Sequence, residues 1–95
     1  MKRFFATATV RFKKSVLEPQ GQAIRLSLTE KGEHAFKLVR VGKFIEVELE
    51  ADSLADAEKK MNALANSMLY NDVMETCEVV VIPSPQATLP KGEGG

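Results

Sequence analysis

The sequence predicts an α+β domain in which strands and helices alternate as β-α-β-β-α-β. Three observations carry that prediction. Residues 3–12 alternate strictly, with Phe4, Ala6, Ala8, Val10 and Phe12 on one face and Phe5, Thr7, Thr9 and Arg11 on the other, which is the period of a strand. Two later stretches have helical spacing with recognisable start and stop residues. Between them lie two short strand-like runs separated by Gly42-Lys43, a turn with glycine first as a type II′ hairpin prefers.

The first helix is expected over 19–31. Pro19 suits the first helical position, where its fixed φ helps and its missing N–H is not needed. Ala23, Ile24, Ser27 and Leu28 fall at helical spacing, and Gly32 is a plausible residue just beyond the end. Gly21 lies inside the first turn, where glycine is about 1 kcal/mol less favourable than alanine. A glycine there implies that another backbone approaches closely. Strands are expected at about 36–41 and 43–50. In the latter, Ile45, Val47 and Leu49 oppose Phe44, Glu46, Glu48 and Glu50.

The second helix opens with Ser53 and, three residues on, Asp56, a variant of the capping box. Leu54, Ala57, Met61, Leu64, Ala65 and Met68 form one apolar stripe, and Asn71 can close the helix in a left-handed conformation. Residues 77–82 make the last strand. The order is that of a ferredoxin-like sandwich built from two split units. Residues 1–83 constitute the domain. Residues 84–95, rich in Pro and Gly with little to bury, are expected to be a mobile tail.

Composition narrows the function classes. A 95-residue chain makes one domain, burying roughly 60–65% of its unfolded surface, so it gains from a partner. Thirteen basic and thirteen acidic residues balance, which removes the electrostatic basis for expecting nucleic acid or an anionic membrane. One cysteine forms no internal disulfide and fits a reducing compartment. The apolar stretch after Met1-Lys2-Arg3 is broken by Thr7, Thr9 and Arg11, too short for a signal peptide. A cytoplasmic protein is expected.

Residues Glu78 to Ile82 are apolar on both faces of their strand, and Phe4 and Phe5 put rings on opposite faces of the first. A sheet with both helices on one side exposes its other face. Self-association through that face is expected.

Catalytic equipment is sparse. His34 is a lone loop histidine, and Cys77 a lone thiol with no base beside it. Glu46, Glu48 and Glu50 share a strand face, but side chains two residues apart diverge from a single ion. No metal-ligand spacing and no Gly-rich phosphate loop is present. The helix start at Pro19 offers N–H groups to an anion, yet Glu18 sets a negative charge there, so capping is the better reading. Arg40 and Lys43 flank the hairpin and could grip an anionic partner group, although exposed basic residues beside acidic ones usually do no more than keep a surface soluble. An RNA-recognition reading fails because the strand face is acidic and the aromatic pattern mismatches. A small-molecule-sensing regulatory module of the ACT type shares the topology and the first strand-to-helix junction as its ligand position. It remains open as the alternative.

The run Lys14 to Gly21 with Ala23-Ile24, the run Val39 to Val47, and Asn71-Asp72-Val73-Met74-Glu75 together resemble the small subunit family (PurS) of phosphoribosylformylglycinamidine synthase. Glu18 stands where that family usually has Asp, Asp72 replaces a frequent Pro, and Cys77 takes an often aromatic place. The resemblance implies a non-catalytic subunit acting in the fourth step of de novo purine synthesis. It implies a homodimer or tetramer bridging a glutaminase subunit and a synthetase subunit and helping ammonia pass between them. ATP, Mg and glutamine would be used on those partners, with no cofactor, metal or catalytic residue on this chain. Under this reading Gln20, Gly21, Arg40 and Lys43 are the interface candidates, and Ile45, Val47, Met61, Leu64 and Met68 are core.

Overall fold

The computed structural model describes residues 1–83. The tail expected over 84–95 lies outside the described residues. Three strands, β1 (Lys2–Phe12), β2 (Lys43–Ala51) and β3 (Glu75–Pro83), and two helices, α1 (Pro19–Glu30) and α2 (Leu54–Leu64), follow in the order β1-α1-β2-α2-β3. Within the sheet the order is β2-β1-β3, with both neighbours antiparallel to β1.

The alternation in β1 decides which residues form the core. Phe4, Ala6, Ala8 and Val10 point to the inner face and are buried. Pairing places Leu49, Val47 and Ile45 opposite Phe4, Ala6 and Ala8 on one side, and Val81, Val79 and Cys77 opposite Ala6, Ala8 and Val10 on the other. Small Ala6 and Ala8 let Met61 of α2, 1% exposed, settle onto the middle of the sheet. Phe4, Ala51 and Ala57 form a second buried group nearer the β2–α2 turn.

α2 starts as its sequence indicates. Ser53 Oγ accepts the Asp56 N–H at 3.1 Å. The Asp56 carboxylate reaches back to the Asp52 N–H at 3.0 Å, one residue earlier than in a standard capping box, and takes Lys60 Nζ at 2.8 Å. At its far end the helix widens into a π turn over Ala65–Leu69. The extra residue in that turn moves the inward position after Ala65 onto Leu69, which packs on the core. Met68, expected in the core, is 72% exposed, and Leu54 is exposed as well. Among the described residues no non-glycine residue has positive φ, so Asn71 does not close the helix in a left-handed state. It instead accepts the Val73 N–H on its side-chain oxygen at 2.9 Å.

The strand expected over 36–41 and the hairpin at Gly42-Lys43 are absent. Residues 33–42 form an irregular connector between α1 and β2. Competing contacts explain this: Arg40 and Val41 are bonded to residues before α1, and Gly42 lies so close to β1 that an added Cβ would be 2.5 Å from the Val10 oxygen. These draw the connector across the end of β1 instead of back along β2. The α+β class stands with one strand fewer in the sheet.

Candidate functional site

The residues singled out in the sequence converge where β1 leads into α1. Glu18 is the N-cap of α1. Its carboxylate accepts the N–H of Gln20 at 2.7 Å, of Gly21 at 2.6 Å and of Val41 at 2.9 Å. One side chain thus satisfies two free donors of the helix start and holds the returning connector. Glu18 is 4% exposed. Burial alone pushes its pKa up, but the Val41, Gly21 and Gln20 N–H groups and the Arg40 charge together outweigh it, so the carboxyl lies below its usual range.

Gly21 has the close neighbour that its position implied. A Cβ built there would meet the Val39 carbonyl oxygen at 2.0 Å and Glu18 Oε1 at 2.6 Å. No side chain larger than hydrogen fits without moving backbone. Arg40 completes the clamp: its Nη2 donates to the Lys13 oxygen at 2.7 Å, the Val16 oxygen at 2.9 Å and, more weakly, the Phe12 oxygen at 3.4 Å. The guanidinium gives a charged donor to carbonyls at the bend between β1 and α1, where the Lys13 oxygen also accepts the Val16 N–H at 2.9 Å.

The four interface candidates therefore divide. Gly21 and Arg40 are engaged within the chain. Gln20 is exposed, and Lys43 is exposed with one contact, from Nζ to the Leu69 oxygen at 3.3 Å. A groove of about 440 Å3 opens beside the clamp, with Arg11, Lys14, Arg40, Lys43 and Phe44 among its lining residues.

His34 is exposed on the connector. Burial pushes the Cys77 thiol up, with the Glu75 charge adding to it and Lys43 opposing, the direction of an unreactive thiol. Glu46, Glu48 and Glu50 stand on the outer face of edge strand β2, where Arg3 pairs with Glu48 at 3.5 Å and Glu50 at 3.9 Å. That same outer face carries Phe44, Val80 and Ile82, all exposed, beside half-buried Phe5.

The family model for PurS, phosphoribosylformylglycinamidine (FGAM) synthase, matches residues 5–83, from within β1 to the end of β3. This chain belongs to the PurS family. The PurS subunit of Synechocystis is 36% identical over 66 residues, covering 70% of this chain and 66% of that protein. The structure of PurS from Thermus thermophilus superposes with a TM-score of 0.71 at 37% identity, covering 87% of this chain and 99% of that one. A chain in the PurLQS structure from Thermotoga maritima gives a TM-score of 0.74 at 29% identity, with 86% and 100% covered.

Among PurS residues, Glu18 is the one whose part the sequence shows least. Its position before Pro19 marks a cap, but nothing local signals that the same carboxylate also holds Val41, 23 residues away. The side chain, one methylene longer than Asp, has the reach to serve both.

Proposed function

We propose that this chain is the non-catalytic small subunit of a phosphoribosylformylglycinamidine synthase in purine biosynthesis, bridging a glutaminase subunit and an ATP-dependent synthetase subunit. The observation that carries the reading is the match of residues 5–83 to PurS, together with the likeness to a chain of the PurLQS structure. On this reading glutamine is hydrolysed on one partner, and ATP and Mg act on the other. The small subunit holds the two together so that ammonia passes between them. Self-association as a homodimer or tetramer uses the outer sheet face, where Phe44, Val80 and Ile82 are exposed. A lone, half-buried cysteine supports a cytoplasmic setting, and no helix among the described residues is long and apolar enough to cross a membrane.

The alternative of a small-molecule sensor places its ligand at the first strand-to-helix junction. There the Glu18 carboxylate already takes the Gln20, Gly21 and Val41 N–H groups, which disfavours an anionic effector at that position.

Reconstitution tests the bridging role. Adding the purified chain to the glutaminase and synthetase subunits is expected to raise the glutamine-dependent rate strongly and the ammonia-dependent rate little. An unchanged glutamine-dependent rate refutes it.

A further inference from the structure

The chain carries no net charge, yet basic residues gather at one end of the sheet. Arg11 and Lys14 at the end of β1 meet Arg40 and Lys43 at the start of β2 around the groove of about 440 Å3. None of the described lining residues is Asp or Glu, and Phe12, Val41 and Phe44 supply an apolar wall. Surface cations ordinarily sit among opposite charges, as Arg3 does with Glu48 and Glu50 and Lys60 with Asp56. Among the described residues, exposed Arg11, Lys14 and Lys43 have no such partner. Lys43 spends one bond on the Leu69 oxygen, and an ammonium has three donors. Arg40 differs, because its Nη2 is committed to the carbonyls of the bend and its charge acts on Glu18.

The surroundings restrict what the groove accepts. Its lining falls in two short runs, within 9–14 and 40–44, so it is a compact opening and not a furrow. Beyond it the sign of the surface reverses: on the outer face Glu46 follows Phe44 along β2, and Glu78 lies opposite Thr9 on β3. A nucleic acid or acidic peptide extending along the sheet would run into those carboxylates. A ligand that concentrates its charge at one point avoids them. A phosphate group does so, with nearly two negative charges on three acceptor oxygens, and three uncommitted cations face the same opening. Phe44, 64% exposed, adds a flat apolar surface that a phosphate alone leaves unused and an aromatic base covers. The volume lies within the roughly 300–1,000 Å3 of small-molecule sites.

We propose that this groove binds a nucleoside phosphate. Arg11, Lys14 and Lys43 hold the phosphate, and the base stacks on Phe44. Arg40 positions the Lys43 side of the groove by fastening the connector to the bend, and donates nothing to the ligand. With no carboxylate or imidazole in the described lining to act as a base, the ligand is bound and not hydrolysed. The inference rests on the groove alone and does not depend on the bridging role. Phe44 also lies at the end of the outer sheet face through which copies associate, so the ligand must bind the assembled chain.

Equilibrium dialysis of the full chain at low salt tests it, with adenosine monophosphate, adenosine and inorganic phosphate as labelled probes. The nucleotide is expected to bind saturably, about tenfold or more tighter than either of the other two, and to weaken as salt is raised. Arg11→Ala with Lys14→Glu is expected to lower nucleotide affinity by about tenfold or more with unchanged circular dichroism. Lys59→Glu, on the exposed side of α2, is expected to leave it unchanged. Phe44→Leu keeps an apolar side chain on the association face but removes the ring, and is expected to bring the nucleotide down towards the affinity of inorganic phosphate. Absence of saturable nucleotide binding overturns the proposal. So does inorganic phosphate binding as tightly as the nucleotide, which would leave a simple anion site. Nucleotide affinity unchanged in the Arg11→Ala, Lys14→Glu chain overturns it by placing the ligand elsewhere. An oligoglutamate peptide that binds where the nucleotide does not also overturns it, and assigns the groove to an acidic protein segment.

Discussion

Replacing Gly21 by alanine separates two accounts of that residue by the sign of the effect. In an unobstructed helix the substitution stabilises by about 1 kcal/mol, because alanine is the better helix former. Here the added methyl would stand 2.0 Å from the Val39 oxygen and 2.6 Å from both the Val39 carbon and Glu18 Oε1, where ordinary contact begins at 3.4 Å. The nearest obstacle is backbone carbonyl, which cannot rotate aside as a side chain can. Relief requires α1 and the connector to separate by more than an ångström, and that displaces the Glu18 bonds to Gly21 and Val41. Overpacking of this kind costs about 1–3 kcal/mol, with rigid backbone placing it at the upper end. Set against the helical gain, the net loss is about 2 kcal/mol. For a domain of this size that lowers Tm by roughly 8–16 °C. Urea titration of G21A followed by circular dichroism measures it through the midpoint at constant slope. A neutral or stabilised G21A would refute the close approach and leave Gly21 as an ordinary helical position.

Arg40→Ala removes the donor to three carbonyls and is expected to destabilise the isolated chain by about 1.5–3 kcal/mol, whereas exposed Lys43→Ala changes stability by less than about 0.5 kcal/mol; thermal melts of both distinguish an internal clamp from a free surface residue. Met61→Ala, at the centre of the core, should cost about 2–5 kcal/mol, while Met68→Ala at the exposed end of the π turn should stay within about 0.5 kcal/mol; equal losses would contradict the register shift onto Leu69. The lowered pKa of Glu18 means the unfolded chain binds its proton more tightly, so its stabilisation is full above the ordinary value of 4.5 and is lost as pH falls through the folded value. Asp56 is lowered as well, chiefly by its bond to Lys60. Glu18→Gln should therefore weaken, without abolishing, the acid-dependent loss of stability seen in denaturation midpoints below that pH; an unaltered dependence would remove Glu18 from the account.

Features set by neighbours in sequence were legible. The alternation of β1 named its buried face, and Pro19 and Gly32 bracketed α1. At the latter, φ is +89°, the Gly32 N–H bonds Thr29 and the Glu33 N–H bonds Leu28, which together make a Schellman stop. Gly21 was legible as a close approach, though not what approached. Features that depend on distant partners were hidden. Glu18 and Arg40 act on residues more than twenty positions away, and such contacts leave no periodic trace. The π turn was hidden for another reason. Leu64, Ala65, Met68 and Leu69 are all apolar, so the stripe is compatible with either register and only packing chooses between Met68 and Leu69.

The connector is where local and long-range preference conflict. Phe36, Leu38, Val39 and Val41 with Gly42 beyond them favour a strand and a hairpin turn, yet the chain holds them irregular and partly exposed. Sequences are usually consistent across these levels, and the places where they are not tend to serve something outside the isolated fold. Two facts decide how this conflict should be read. The forces that block the hairpin are specific: a carboxylate accepting three backbone N–H groups, a guanidinium on three carbonyls and a glycine contact closed to any side chain. A merely weak strand would need none of them. Moreover, the blocked pattern retains its apolar and charged positions in the register that β2 would accept. In residues 36–41 the local strand pattern is therefore overridden by contacts to residues more than twenty positions away, not by any weakness of the pattern itself.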